Sequence, residues 1–417
     1  MKHTSKLHFT ILLLTAAAII GLLSTLLALV LKNITFVYEV SFFLKAKEYP
    51  ILFFLFPFVA LSVIHWLREK VFMKKENKGI TEIFETVSNK RNSLPAYKIP
   101  SHFINGFLTV IFGGSTGIEV STVVATATVG SMARKKESRF RKYKTTLINC
   151  GIAAGITALF GNPLAGFFFC YEIISKKWNL LKLSAVLVAL TVATLLINLV
   201  HDGPLFNIHL TGWHLHALPW FLLLGVIAAC LSVYLTRCVL FFKATYSRLN
   251  SYYSKIVISS VILGSLLFVL PQLYGEGYHA ITENMKHAQT LVLTPGLFML
   301  FAAIVLLKPI ATSATLASGG DGGVFAPSLF MGAFLGLLIA LLHNTFFSAQ
   351  VIPLNFMILG MGAMLSASIH APLTAVFLTC GLIGDYTLLV PALLICFVAK
   401  FTAKSLYPFT VYTYQKA

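Results

Sequence analysis

The sequence predicts an all-helical protein built into a lipid bilayer, and three observations carry that prediction. Of its 417 residues 57% are hydrophobic and only 11% are charged, with a mean hydropathy of +0.84, whereas soluble domains carry about 25% charged residues. Uncharged apolar stretches long enough to cross a bilayer recur along the whole chain. Between them lie shorter apolar stretches broken at glycine or proline, a pattern that brings irregular backbone to membrane depth around a cavity. The expected class is an all-α membrane protein with one membrane domain, residues 1–417.

The first apolar run, Phe9 to Leu31, follows Lys2 and Lys6 and precedes Lys32. A secretory leader also begins with basic residues, but this run continues well past Ala16-Ala17-Ala18 and is long enough to span, so it reads as a retained helix. A second span is expected at Ile51–Leu67, with Lys45, Lys47 and Glu48 marking an aqueous loop between the two. Lys74 to Lys98 is more polar and contains a short amphipathic helix opening near Gly79.

From Ser101 the apolar segments shorten: Phe103–Phe112, a glycine cluster, Val120–Ala133, Thr145–Phe160, the break Gly161-Asn162-Pro163, and Leu164–Ile174. Longer spans are expected at Leu181–Val200, Pro219–Phe242, Lys255–Leu270 and Leu293–Ile310. The loop from His201 to His216, with Trp213, reads as interfacial. The interrupted pattern then returns with Gly319-Gly320-Asp321-Gly322-Gly323 opening a helix through Leu342. It continues with Phe356–Ser368, the break at His370-Ala371-Pro372, Leu373–Leu382, and a last span Leu388–Phe401.

Charge and reactive residues narrow the function. The 32 Lys and Arg against 14 Asp and Glu suggest nucleic acid in a soluble protein; in a membrane protein the positive-inside bias accounts for the excess. The densest cluster, Arg134 to Lys144, is a short loop between apolar segments and reads as cytoplasmic, so no nucleic-acid partner is expected. The six cysteines (Cys150, Cys170, Cys230, Cys238, Cys380 and Cys396) lie in apolar tracts and read as small hydrophobes. Twelve scattered histidines contain no H-E-x-x-H. No metal site, cofactor or enzymatic cluster is expected; a non-conducting scaffold is the remaining different class.

The acid that stands out is Glu119, in Gly117-Ile118-Glu119-Val120-Ser121, after a glycine cluster and before a helix expected at Thr122–Ala133. Glycines let a helix break and bring N–H groups close to a ligand. A helix starting there aims free N–H groups and its positive dipole end at the gap. A carboxylate at that place either occupies an anion site, or merely caps the helix or pairs with a Lys or Arg. Several such N-termini meeting at one place hold an anion without a lysine. A deprotonated Glu119 then competes with the anion, and a protonated one vacates the site. Among the other acids in apolar surroundings, Asp321 and Asp385 read as interface or capping residues, and Glu172 as a local ion pair with Lys176-Lys177.

The two interrupted regions resemble each other. Gly151 lies 12 residues before Pro163 and Gly360 lies 12 before Pro372. The distance from turn to proline is 44 residues from Glu119 and 47 from Phe325. This ordered series indicates a duplication, with repeat one at about 51–242 and repeat two at about 255–408, meeting at a midplane site. Glu119 and Phe325 are then candidates for opposite walls.

These residues resemble the CLC family of chloride channels and chloride/proton antiporters over roughly Asn77 to Tyr407. Gly117-Ile118-Glu119-Val120-Ser121 is similar to the family's G-[KR]-E-G-P turn, Phe160-Gly161-Asn162-Pro163-Leu164-Ala165-Gly166 to F-N-A-P-L-A-G, and Gly322-Gly323-Val324-Phe325-Ala326-Pro327 to G-G-x-F-A-P. Ala371-Pro372-Leu373-Thr374 matches A-P-L-T, and Lys404-Ser405-Leu406-Tyr407 resembles K-P-L-Y. The resemblance implies inverted-topology repeats, a homodimer with one anion pathway per subunit, and Glu119 as the gating glutamate. It puts anion contacts at Gly117, Ile118, Val324, Phe325 and Tyr407.

The departures bear on mechanism. The family's G-S-G-I-P falls on Asn77-Lys78-Gly79-Ile80-Thr81, so the anion-coordinating serine becomes Lys78, beside Gly79 and Ile80. That lysine either binds the anion tightly or snorkels to water. The internal proton-relay glutamate of antiporters falls on Ile173, and no cytoplasmic nucleotide-binding tail is expected after Tyr407. The expected function is chloride transport, passive or weakly proton-coupled, in the inner membrane of a bacterium. The alternative is a proton-coupled chloride or fluoride antiporter of the same fold.

Overall fold

The computed structural model describes residues 2–72, 77–89, 93–136, 138–175 and 178–414. Among these it has sixteen α-helices and no strand, only an isolated bridge between Gly117 and Gly323. The first half contains α1 (Lys2–Glu48), α2 (Leu52–Lys70), α3 (Ile80–Ser88), α4 (Lys98–Ile111), α5 (Glu119–Lys136), α6 (Lys144–Phe160), α7 (Pro163–Phe169), α8 (Leu180–Leu199) and α9 (Leu218–Ser247). The second contains α10 (Tyr252–Val269), α11 (Tyr278–His287), α12 (Pro295–Ala317), α13 (Phe325–Phe346), α14 (Pro353–Ile369), α15 (Pro372–Ile383) and α16 (Leu389–Leu406). Eight of the described helices are long and apolar enough to span a bilayer, so this is a multi-pass membrane protein.

The largest departure from the sequence reading is α1. It runs unbroken for 47 residues, about 70 Å at 1.5 Å per residue, and swallows the loop expected at Lys45–Glu48. No glycine or proline follows Gly21 until Pro50, so nothing in the backbone stops it. Its interior charges are matched instead: Lys32 Nζ lies 2.6 Å from Asp202 Oδ2, and Glu39 Oε1 accepts the Glu276 N–H at 2.9 Å.

The halves repeat one another in their breaks. α6 ends on Gly161 at φ 67° and α14 on His370 at φ 56°, and each is followed two residues later by a proline that opens the next helix. At the glycine turns the halves exchange partners. Ser115 N–H donates to Thr315 Oγ1 at 3.1 Å, and Asp321 N–H donates to Thr109 Oγ1 at 3.0 Å. Such reciprocal exchange is what a two-fold relation between two copies of a motif produces.

Small residues allow the helices to close on one another, as membrane packing requires. A Cβ at Gly332 of α13 would stand 2.2 Å from the Gly360 carbonyl of α14, and one at Gly130 of α5 only 2.1 Å from the Leu147 carbonyl of α6. α7 and α15 pack through stacked Phe168 and Phe377, with centroids 5.0 Å apart. Phe9 near the start of α1 packs on Phe140 and Tyr143, and Lys144 Nζ donates to the Thr86 and Asn89 carbonyls at the end of α3. The start of α1, the basic loop and the end of α3 thus share one side of the membrane, called here the basic side.

Candidate functional site

Three helix N-termini meet beside Glu119. α5 begins at Glu119, α13 at Phe325 and α3 at Ile80. Gly117 and Gly323 pair across the first two turns, and Thr116 Oγ1 donates to the Gly323 carbonyl at 2.8 Å. A Cβ on Gly79 would touch Val120 Cγ1 at 3.3 Å, which brings the α3 turn against α5. Gly79 holds φ 60° and Gly322 φ 146°, conformations that favour glycine. The first N–H groups of each helix lack partners within their own helix, so the meeting point is electropositive.

Glu119 fills that point with its own carboxylate. The residue is 2% exposed. Tyr278 hydroxyl donates to Oε1 at 2.7 Å, while Oε2 is buried with no hydrogen-bond partner. Oε2 folds back over Gly117, where a Cβ would lie 1.9 Å from it, and the Ala326 methyl closes the opposite side. Glycine at 117 is therefore a steric requirement of the closed carboxylate.

Two cavities adjoin the turn and share no lining residue. One, of about 300 Å³, is lined by Ile118, Glu119, Glu276, Tyr278, Lys32 and Asp202 among others; it faces away from the basic loop. The other, of about 240 Å³, is lined by Lys78, Gly79, Val120, Lys243, Asp321, Val324 and Tyr412 among others. The Glu119 turn stands between the two, Glu119 lining the first and Val120 the second.

The sequence-derived site residues fall as follows. Gly117, Ile118, Val324 and Phe325 come together with Glu119. Ile118 N–H, however, is taken by Glu276 Oε1 at 2.9 Å. Phe325 is fully buried against Phe169 at 5.9 Å between centroids. Gly79 and Ile80 open α3 into the basic-side cavity region. Lys78 takes the snorkelling alternative: its N–H is capped by Glu82 Oε1, and its half-exposed ammonium lies 4.0 Å from Glu85. Tyr407 stands apart from the turn, packed on Phe409 and Arg237. Tyr412 stands nearer the second turn, its hydroxyl accepting the Val324 N–H at 3.2 Å. The chain leaves α16 extended at Tyr407 and turns back over Thr410–Thr413, so a tyrosine five residues later reaches the helix.

Other acids behave as scaffolding. Glu172 accepts from Leu373 N–H, Thr374 N–H and Thr374 hydroxyl at 3.2, 2.8 and 2.7 Å, capping α15; Lys176 and Lys177, its expected partners, lie outside the described residues. Asp385 caps Thr387 at 2.7 Å, and the Thr387 hydroxyl holds its carboxyl below the ordinary range. Asp321 accepts from Asn77 and Ser121 and pairs with His102 Nδ1 at 2.9 Å, joining the second turn to α4 and α5.

A buried charged cluster went unread in the sequence. Glu39, Glu276 and Lys308 are 5%, 7% and 0% exposed. Lys308 Nζ donates to the Leu273 and Gly275 carbonyls at 3.1 and 3.0 Å and lies 4.5 Å over the Phe330 ring. The signal was present: Lys308 interrupts an apolar span, and Glu276 sits between two glycines.

Comparison with known proteins agrees with this architecture. A family model described as voltage gated chloride channel matches residues 61–404. The voltage-gated ClC-type chloride channel ClcB of Escherichia coli is 29% identical over 316 residues, 74% of this chain and 73% of its own. The putative chloride channel protein ClcB-like of Ralstonia nicotianae is 28% identical over 338 residues, 78% and 76% of the two chains. Among solved structures, a CLC-type fluoride/proton antiporter superposes with a TM-score of 0.80 at 23% identity, covering 96% of both chains. A slow cyanobacterial chloride/proton antiporter does so at 0.79 and 22% identity, also covering 96% of both.

Proposed function

Because the chain belongs to the voltage-gated chloride channel (CLC) family, with 61–404 as the matched segment, we propose that it conducts chloride past Glu119, passively or with weak proton coupling. The observation that carries this reading is the Glu119 carboxylate, held among three helix N-termini between two separate cavities. An anion entering from either cavity meets that carboxylate where free N–H groups would hold it. Protonation removes the competing charge, and the neutral side chain swings away. Phe325 and Ala326 supply backbone donors, with the Tyr412 hydroxyl, which here accepts the Val324 N–H, beside them. Lys78 and Lys243 line the basic-side cavity and raise the local anion concentration.

By the positive-inside rule the basic side is cytoplasmic, and the bacterial relatives support a bacterial plasma membrane. A homodimer with one pathway in each subunit is the family expectation. Ile173, in place of an inner proton-relay glutamate, supports weak coupling. A second reading, a proton-coupled chloride or fluoride antiporter, is favoured by the buried Tyr278–Glu119 pair, which suits a group that binds and releases protons.

The test follows chloride and proton movement together from chloride-loaded liposomes. Chloride efflux without proton movement supports the channel; linked movement supports the antiporter; fluoride in preference to chloride supports the fluoride antiporter. Glu119→Ala should make efflux indifferent to pH. Absence of any anion flux would falsify the reading.

A further inference from the structure

We propose that Glu276 is the carboxylate through which protons from the far-side cavity reach Glu119. The proposal rests on Glu119 being the gate, and it starts from an access problem. The gate carboxylate is poorly placed to meet bulk water: the residue is 2% exposed, Oε1 carries the Tyr278 hydroxyl, and Oε2 is buried without a hydrogen-bond partner. A gate that works by gaining and losing a proton needs a second group that meets both water and the turn.

Glu276 is built for that position. Gly275 and Gly277, at φ 54° and 84°, bend the backbone around it. Its Oε1 accepts from the N–H of Ile118, the residue next to the gate, at 2.9 Å. Its other oxygen makes no such bond, and the residue lines the same cavity as Glu119, Tyr278, Lys32 and Asp202.

The surrounding charges make the site an exchangeable store. Glu39 from α1 takes the Glu276 N–H, Lys308 from α12 donates to the Gly275 carbonyl, Tyr278 of α11 lines the same cavity, and His279 of α11 turns its ring to Phe43. Tyr274, donating to the Ile111 carbonyl at 2.7 Å, closes the remaining side. Three carboxylates around one ammonium leave two negative charges unmatched when all are ionised, and one proton shared among them relieves that repulsion.

The step balances simply. A hydronium ion in the cavity protonates the free oxygen of Glu276. Water in the cavity that both residues line carries that proton on to the Glu119 carboxylate, Glu276 returns to its ionised form, and neutral Glu119 releases the turn. One proton moves, and no bond beyond O–H forms or breaks.

The experiment uses the full chain in liposomes and reads how fast chloride efflux responds to a jump in outer pH. Glu276→Gln keeps an acceptor for Ile118 N–H but carries no proton, and is expected to slow the response at least about tenfold. Glu276→Asp should restore it. Glu276→Ala is the second variant: formate added outside, a small weak acid that fits the vacated space, should speed its response. A Glu276→Gln protein that follows the jump as fast as the native chain overturns the proposal, as does a Glu276→Ala protein deaf to formate. If Glu119→Ala responds like the native chain, or the native chain ignores outer pH, the gate reading itself has failed.

Discussion

Tyr278 donates its hydroxyl hydrogen to Glu119 Oε1 across 2.7 Å of buried space, 159 residues away in sequence. That one bond ties α11 of the second half to the first helix turn of α5, and in the proposed gate it favours the blocking position of the carboxylate. A hydrogen bond to a charged group is worth about 1.5–3 kcal/mol, so Tyr278→Phe is expected to shift the gate roughly ten- to a hundredfold towards open. Chloride efflux at neutral pH measures this; an unchanged rate contradicts the blocking role.

The two tyrosines near the C-terminus separate cleanly. Tyr412 hydroxyl meets the Val324 N–H at 3.2 Å, while Tyr407 packs on Phe409 and Arg237. Tyr412→Phe is expected to weaken anion binding roughly two- to tenfold, the effect of losing one neutral hydrogen bond of about 0.5–1.5 kcal/mol. Tyr407→Phe should leave it unchanged. Titration calorimetry with chloride distinguishes them, and the reverse result would restore Tyr407 as the anion contact.

Lys78 replaces a serine of the family motif yet turns its half-exposed ammonium towards Glu85 at 4.0 Å. Exposed pairs of this kind contribute about 0–1 kcal/mol. Lys78→Met should therefore change chloride affinity less than about threefold, with a small fall in conduction at low ionic strength that salt abolishes. A large loss of affinity would mean that the ammonium reaches the anion.

Lys308 is fully buried among Glu39, Glu276 and the carbonyls of Leu273 and Gly275. Lys308→Met leaves those groups without their cation and should cost about 3–5 kcal/mol of stability. Adding Glu39→Gln removes one unmatched charge and should recover part of it. Thermal denaturation in detergent, followed by size exclusion, reads both; a double variant less stable than the single one would refute the pairing.

The glycine turns were legible because positive φ leaves a mark on sequence: Gly79, Gly113, Gly319 and Gly322 all hold it, and all fall in the stretches singled out. The duplication was legible for the same reason, down to His370, which does the work of Gly161. Two things were hidden. Tyr412 was missed because the motif stops at Tyr407, and only the turn after α16 decides which ring reaches α13. The Glu39–Glu276–Lys308 cluster was missed because its members come from three distant segments, each looking locally like a loop mark or an isolated charge. Their meaning lies in burial and partnership, which spacing along the chain does not encode.

Helix α1 is made well before the segments that match its charges. Lys32 waits for Asp202, 170 residues on, and Glu39 for the N–H of Glu276, 237 residues on. At about 5–20 residues per second the ribosome takes roughly ten seconds or more to supply the second partner. An unmatched charge within the bilayer costs about 2.5–3.5 kcal/mol on insertion scales, so the final position of α1 depends on segments made later. Assembly therefore closes on a helix made early, and a chain cut short before Glu276 leaves Glu39 without its partner.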